Sequence, residues 1–117
     1  MHSDVKELKR LSRSALRTEH LPLRMQRHET VVIFANELLR TDTVPVSARR
    51  IRNHLYANLN HLGTLHRREG NLEEAAKHFA AGRAAARKAG NTKVEQFFHV
   101  RLYVVREAKQ RLQPLTG

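Results

Sequence analysis

The residues of this 117-residue chain that could do chemistry are its eight histidines and its 22 lysines and arginines. Two imidazoles three or four residues apart on a helix face the same way and can hold a metal ion. His2, His20, His28, His54, His61, His66, His78 and His99 include no such pair, so no metal site is expected. His66 should pack between helices, while His54 and His61 should lie on the surface. The chain has no cysteine, which rules out disulfides, thiol catalysis and cysteine-ligated zinc or iron–sulfur centres. There is no nucleophile motif, no phosphate-binding glycine loop and no clustered pair of carboxylates. Most acidic residues fall where helices should begin, and capping explains that placement. Neither an enzyme nor a bound cofactor is expected.

Positive charge is what remains. Eleven acidic residues against 22 basic ones leave +11 with histidine neutral. The surplus is spread along the chain, with 11 basic and 6 acidic residues up to Arg52 and 11 and 5 beyond it. A domain this basic attracts polyanions, whether nucleic acid or the acidic face of another protein. Near the start, Lys6, Lys9, Arg10, Arg13 and Arg17 form one face of a helix whose other face carries Val5, Leu8, Leu11 and Ala15. That stripe suits phosphates, acidic lipid or an acidic partner, although a solvated face is the simpler reading. Its apolar side is too weak to favour a membrane. No apolar run approaches the roughly 20 residues that cross a bilayer. The opening MHSDVKELKRL has no apolar signal core. A soluble, cytoplasmic protein without a membrane partner is expected.

The elements that would position these charges are helices. The composition is rich in Ala, Leu, Arg and Glu, with five glycines and three prolines. Apolar spacing predicts five helices, at about residues 4–18, 22–40, 46–69, 72–89 and 92–112. Ser3 would cap the first. Met25, Val32, Phe34, Ala35, Leu38 and Leu39 are the apolar positions of the second, followed by a TDTVPVS loop. Ile51, Leu55, Leu59 and Leu62 stripe the third, with Asn58 at the edge of the stripe and in need of a partner if buried. Gly70-Asn71 and Gly90-Asn91 end the third and fourth helices. The fifth helix would turn Val94, Phe97, Phe98, Leu102, Val105, Ala108 and Leu112 inward, and QPLTG would fray beyond it. Short connections imply antiparallel neighbours. The expected fold is therefore all-α, a stack of antiparallel helical hairpins in one domain. It divides into a helical pair at 1–45, a hairpin at 46–91 and a C-terminal helix at 92–112. Phe97, Phe98, Val100, Tyr103 and Val104 leave that last helix apolar on more than one side, which suits either burial or pairing with a second copy.

From Leu59 to Asn91 the chain resembles a tetratricopeptide repeat. Leu62-Gly63, Gly70, Ala75 and Phe79 carry the resemblance. Leu59, His66, Gly82 and Arg87 stand where the family often has Trp, Tyr, Ala and Pro. Residues 1–45 do not match. Gly63 would let the partner helix approach closely, and Ala75 and Phe79 would interlock with the leucines. The resemblance implies a short superhelix whose first helix in each hairpin lines a peptide-binding groove. On the third helix, Arg49, Asn53, Asn60, Thr64 and Arg67 share one line away from Leu62. They would grip an extended backbone through amides and acidic side chains through arginines.

VSARRIRNHL, Val46 to Leu55, resembles the recognition helix of response-regulator-type helix-turn-helix domains. That resemblance implies Arg49, Arg50, Asn53 and His54 facing the major groove. The preceding turn lacks the Gly-rich start, RTDTVP is long for a tight turn, and the helix runs on past the usual end. The expected function is a non-enzymatic interaction module, an adaptor or regulator binding an acidic or extended peptide of a partner protein. The alternative is a nucleic-acid-binding regulator using Lys6, Lys9, Arg10, Arg13, Arg17, Arg49, Arg50 and Arg52.

Overall fold

A computed structural model describes residues 2–41 and 44–112 of the chain. They form five helices, α1 His2–Arg17, α2 Leu21–Arg40, α3 Pro45–Arg68, α4 Leu72–Lys88 and α5 Thr92–Leu112. No strand occurs among the described residues, so the fold is all-α as the apolar spacing predicts. α1 already includes Ser3, which therefore does not stand at the capping position expected of it. Asp42 and Thr43 of the expected TDTVPVS loop lie outside the described residues, as does the whole QPLTG tail. Pro45 opens α3, where its missing N–H leaves no bond unmade. Val46 and Ser47 are consequently helical rather than part of a loop. No helix among the described residues is long and apolar enough to cross a membrane.

The helices form two compact units, Met1–His61 and Leu62–Gly117. In the first, α1 and α2 pair as a hairpin around a short connection. Thr18 Oγ1 donates to the Ser14 carbonyl at 2.7 Å and accepts from Arg27 at 2.6 Å. The imidazole of His20 caps α2 by accepting from the Leu23 N–H at 3.4 Å. Leu8, Ala15, Val31, Ala35, Ile51, Leu55 and Leu59 fill the core. The inward face of α2 differs from the expected one. Met25, Val32, Phe34, Leu38 and Leu39 are only half-buried, and His28, Val31 and Ala35 are the buried positions. Apolar residues surround α2 on most sides, so pattern alone did not fix its facing, and a histidine took a core place.

The second unit holds the end of α3 with α4 and α5. Both of its turns close the same way. The Asn71 N–H bonds the His66 carbonyl at 2.8 Å while Gly70 bonds Arg67 at 3.1 Å. Asn91 and Gly90 repeat this on Ala86 and Arg87 at 2.9 and 3.1 Å. Gly70 and Gly90 supply the left-handed backbone this closure needs, at φ +80° and +72°. Two further glycines make the helices approach closely. The Phe79 ring of α4 lies on Gly63, and the Phe98 ring of α5 lies on Gly82. Arg87 pairs with Glu95 at 2.7 Å at one end of the α4–α5 hairpin, and Lys109 with Glu73 at 3.7 Å at the other. These two pairs show that the helices run antiparallel. Phe98, Leu102 and Val105 are buried as expected, but Phe97 and Leu112 are 41% and 74% exposed. The inner stripe is narrower than the apolar pattern suggests, because the helix keeps only the i, i+4, i+7 positions inside.

Candidate functional sites

A polar chain runs through the interior of the first unit. Asn58 is 1% exposed and every hydrogen-bonding group of its side chain is used. Its Nδ2 donates to the His54 carbonyl at 2.8 Å and to Ser12 Oγ at 3.2 Å. A carbonyl only accepts, so the amide's NH2 must face His54 and its oxygen must face His28. Nδ1 of His28 lies 2.7 Å from that oxygen and therefore carries the ring's proton. Nε2 of His28 is then the acceptor for Arg24 Nε–H at 3.4 Å. Ser12 Oγ, already accepting from Asn58, is also hydrogen-bonded to Nδ1 of His54 at 3.2 Å. The chain thus sets the tautomer of His28.

Beside this chain is a hollow of about 210 Å³. Lys9, Arg13 and Leu16 of α1 and His54, Ala57 and His61 of α3 surround it, with Ser12 and Asn58 as its floor. No carboxylate lines it. His61 stacks on His28 with ring centres 5.0 Å apart. Burial holds His28, His54 and His61 below the ordinary imidazole range. Neighbouring cations add to this, Lys9 on His54 and Arg24 on His61. His54 and His61 are thus half-buried members of a cluster rather than the surface residues expected. The helix resemblance placed His54 against bases, but its ring is bonded to Ser12 instead.

In the second unit a groove of about 440 Å³ opens along α5. Phe97, Val100 and Val104 form its apolar strip, and Arg67, Lys93 and Arg101 its basic edge. The Arg101 guanidinium lies over the Phe97 ring at 4.6 Å. Arg101 Nε is buried and has no hydrogen-bond partner among the described residues. No carboxylate lines this groove either. His66 is half-buried and stacks on His78 at 5.2 Å, in line with the packing role expected of it.

The remaining expected site residues divide between these units. Arg49 and Asn53 are exposed on α3 in the first unit. Asn60 is half-buried there, and its Oδ1 is buried without a hydrogen-bond partner among the described residues. Thr64, half-buried, and Arg67, exposed, belong to the second unit. Lys6, Lys9, Arg10, Arg13 and Arg17 are all exposed along α1. Glu7 holds Arg10, while Lys6, Lys9, Arg13 and Arg17 have no ion pair among the described residues. Arg50 is exposed and Arg52 half-buried. Sequence reasoning missed His28 and Arg101. His28 was legible in principle, since it shares a face with Val31 and Ala35 at helical spacing. Arg101 had no signal beyond its place among apolar residues.

What the described residues define is an all-helical fold with hollows along α1, α3 and α5 lined by basic residues and by no acidic one. Comparison with protein-family models, with curated proteins and with solved structures finds no match. The tetratricopeptide resemblance therefore rests on the chain's own residues.

Proposed function

We propose that the protein is a non-enzymatic interaction module that takes an acidic, amphipathic segment of a partner protein along α5. The observation that carries this reading is the unpartnered Arg101 Nε beside an exposed apolar strip. A buried donor without an acceptor costs about 1–3 kcal/mol, and a turn of the side chain that brings a ligand carboxylate onto the guanidinium would remove that cost. Val100 and Val104 are 51% and 44% exposed, so an apolar face of the ligand would cover surface that water now meets. A second copy of this chain fits less well than an acidic partner, because it would bring Arg67, Lys93 and Arg101 against the same three cations. The tetratricopeptide-like hairpin supports the reading, and of the α3 line it implicates, Arg67 edges this groove. An adaptor or regulator working in the cytoplasm is the role we infer.

The test is fluorescence anisotropy with a helical peptide bearing Glu on one edge and Leu on the other. Arg101→Gln and Phe97→Asp should each weaken binding at least about tenfold, or about 1.4 kcal/mol. Equal binding of a peptide with Lys in place of Glu, or full affinity in both variants, would sink the reading. Asn60→Ala separates the surfaces. A loss there with none at Arg101 moves the site to the α3 line.

A second reading, a nucleic-acid-binding regulator, draws on Lys6, Lys9, Arg13 and Arg17 of α1, which have no ion pair among the described residues, and on exposed Arg49 and Arg50. It requires duplex binding whose affinity falls steeply with salt and weakens with Lys6→Gln. Salt-independent binding would exclude it.

A further inference from the structure

We propose that the hollow between α1 and α3 in the first unit is a binding site for a phosphate group, held by Lys9, Arg13, His54 and His61. Four basic groups from two helices converge there without one carboxylate. Lys9 and Arg13 bring two like charges to a concave surface and raise the local potential, and a bound anion relieves their repulsion. The hollow is large enough for one phosphate group and its hydrogen-bonding neighbours.

The floor of the hollow is set for this task. Ser12 is 8% exposed and holds the His54 ring through a hydrogen bond to its Nδ1 at 3.2 Å. The other ring nitrogen, Nε2, is left to the hollow, and in the imidazolium it carries a proton to donate. A site whose donors are held by a second layer of hydrogen bonds needs no rearrangement to receive its ligand. The His61 ring stacks on that of His28, and no hydrogen bond from it is seen among the described residues. Lys9 and Arg13 stand at the rim, and both also border the exposed strip running from Lys6 to Arg17.

The site should tighten as the pH falls. The groups facing the two imidazoles are Lys9 and Arg13 on α1, Arg24 and His28 on α2, and each other on α3. All are cationic or neutral, and burial first, then Lys9 beside His54 and Arg24 beside His61, holds both rings below the ordinary imidazole range. A dianion in the hollow reverses that balance and draws a proton onto an imidazole. Binding and protonation are linked, each favouring the other.

The same chemistry has two sources, a small phosphorylated molecule or the backbone of a nucleic acid, and the test has an arm for each. The imidazole proton resonances of the full chain are followed by NMR during addition of sulfate, with chloride balancing ionic strength. Sulfate stays dianionic across this pH range, so any pH dependence belongs to the protein. His54 and His61 should shift saturably, more tightly at lower pH, while exposed His99 stays put. Arg13→Gln and Lys9→Gln should abolish saturation. Both positions are exposed, so the fold should survive the change. Inorganic phosphate should reproduce the sulfate result. A short DNA duplex that moves the same resonances, and loses affinity with Lys6→Gln and Arg17→Gln while sulfate does not, assigns the source to a backbone. Resonances that answer to phosphate and not to the duplex assign it to a small molecule. Shifts that never saturate, or that persist unchanged in Arg13→Gln, overturn the proposal.

Discussion

His28 gives its Nδ1 proton to Oδ1 of Asn58 at 2.7 Å, with both residues shut away from solvent in the first unit. A helix-borne imidazole in an apolar core is tolerated only because the amide across from it is equally confined and fully bonded. Asn58→Ala should therefore destabilise the protein by about 2–4 kcal/mol, the sum of an orphaned donor and a small cavity. His28→Leu should cost less, and the pair His28→Leu with Asn58→Leu less than Asn58→Ala alone, since both polar groups leave together. Urea unfolding of the parent, Asn58→Leu, His28→Leu and the double Leu variant closes the cycle. Additive effects would show that the bond is not what holds the two residues there.

Acid should weaken the fold for a related reason. His28, His54 and His61 are all held below the ordinary value of 6.5, chiefly by burial. The unfolded chain then takes up protons at a pH where the folded chain does not. Stability is complete above that value and is lost as the pH falls through 6.5 toward the lowered values. Each group contributes at most about 1.4 kcal/mol per pH unit across that window. His28, with no exposed surface, should contribute most. Urea midpoints at pH 7.5 and 5.5 measure it. The midpoint should be lower at pH 5.5, and His28→Leu should flatten the difference. A midpoint that rises on acidification contradicts the account.

Two glycines should resist replacement. A methyl carbon on Gly63 would stand 2.6 Å from Cζ of Phe79, and one on Gly82 would stand 2.5 Å from Cζ of Phe98. Neither ring is free to retreat, since both are fully buried. Alanine normally favours a helix over glycine by up to about 1 kcal/mol. Here Gly63→Ala and Gly82→Ala should instead lower stability by about 1–3 kcal/mol, because overpacking outweighs propensity. Pairing Gly63→Ala with Phe79→Leu should recover part of the loss. A thermal melt of Gly63→Ala at or above the parent midpoint would disprove the close approach.

The success of the sequence reading followed the strength of each local signal. Ile51, Leu55, Leu59 and Leu62 are all buried because a stripe at steps of four, four and three admits one facing only. The helix ends were legible for a similar reason, since Gly70 and Gly90 leave the helical region where the chain must turn. Asn58 was marked as needing a partner, and it has three. Its partners were not legible, because Ser12 and His28 come from other helices and nothing local announces a contact over 46 or 30 residues. α2 was misread for the opposite reason. Its apolar residues are spread round the helix, so periodicity named too many inner faces. The two hollows were out of reach because each is defined by what is missing, an acidic residue among convergent basic ones.

The repeated Gly-Asn pair yields one more prediction, because its two asparagines are not equivalent. Asn91 Oδ1 accepts from the Val94 N–H at 3.1 Å, the bond of a helix cap to the third residue of α5. Asn71 makes no such bond at the start of α4. Its side chain instead faces Nδ1 of His66 at 3.5 Å, a long and exposed contact. Glu73 and Glu74 already complement the positive end of α4, whereas the first turn of α5 has Lys93 and a single acid, Glu95. Asn91→Ala should therefore destabilise the protein by about 1 kcal/mol, and Asn71→Ala by a few tenths at most. Hydrogen exchange should sharpen the contrast. The amide of Val94 should lose protection in Asn91→Ala, while that of Glu74 in Asn71→Ala should hardly change. Equal losses in the two variants would mean that the shared Gly-Asn turn, rather than the cap, is what the asparagine serves.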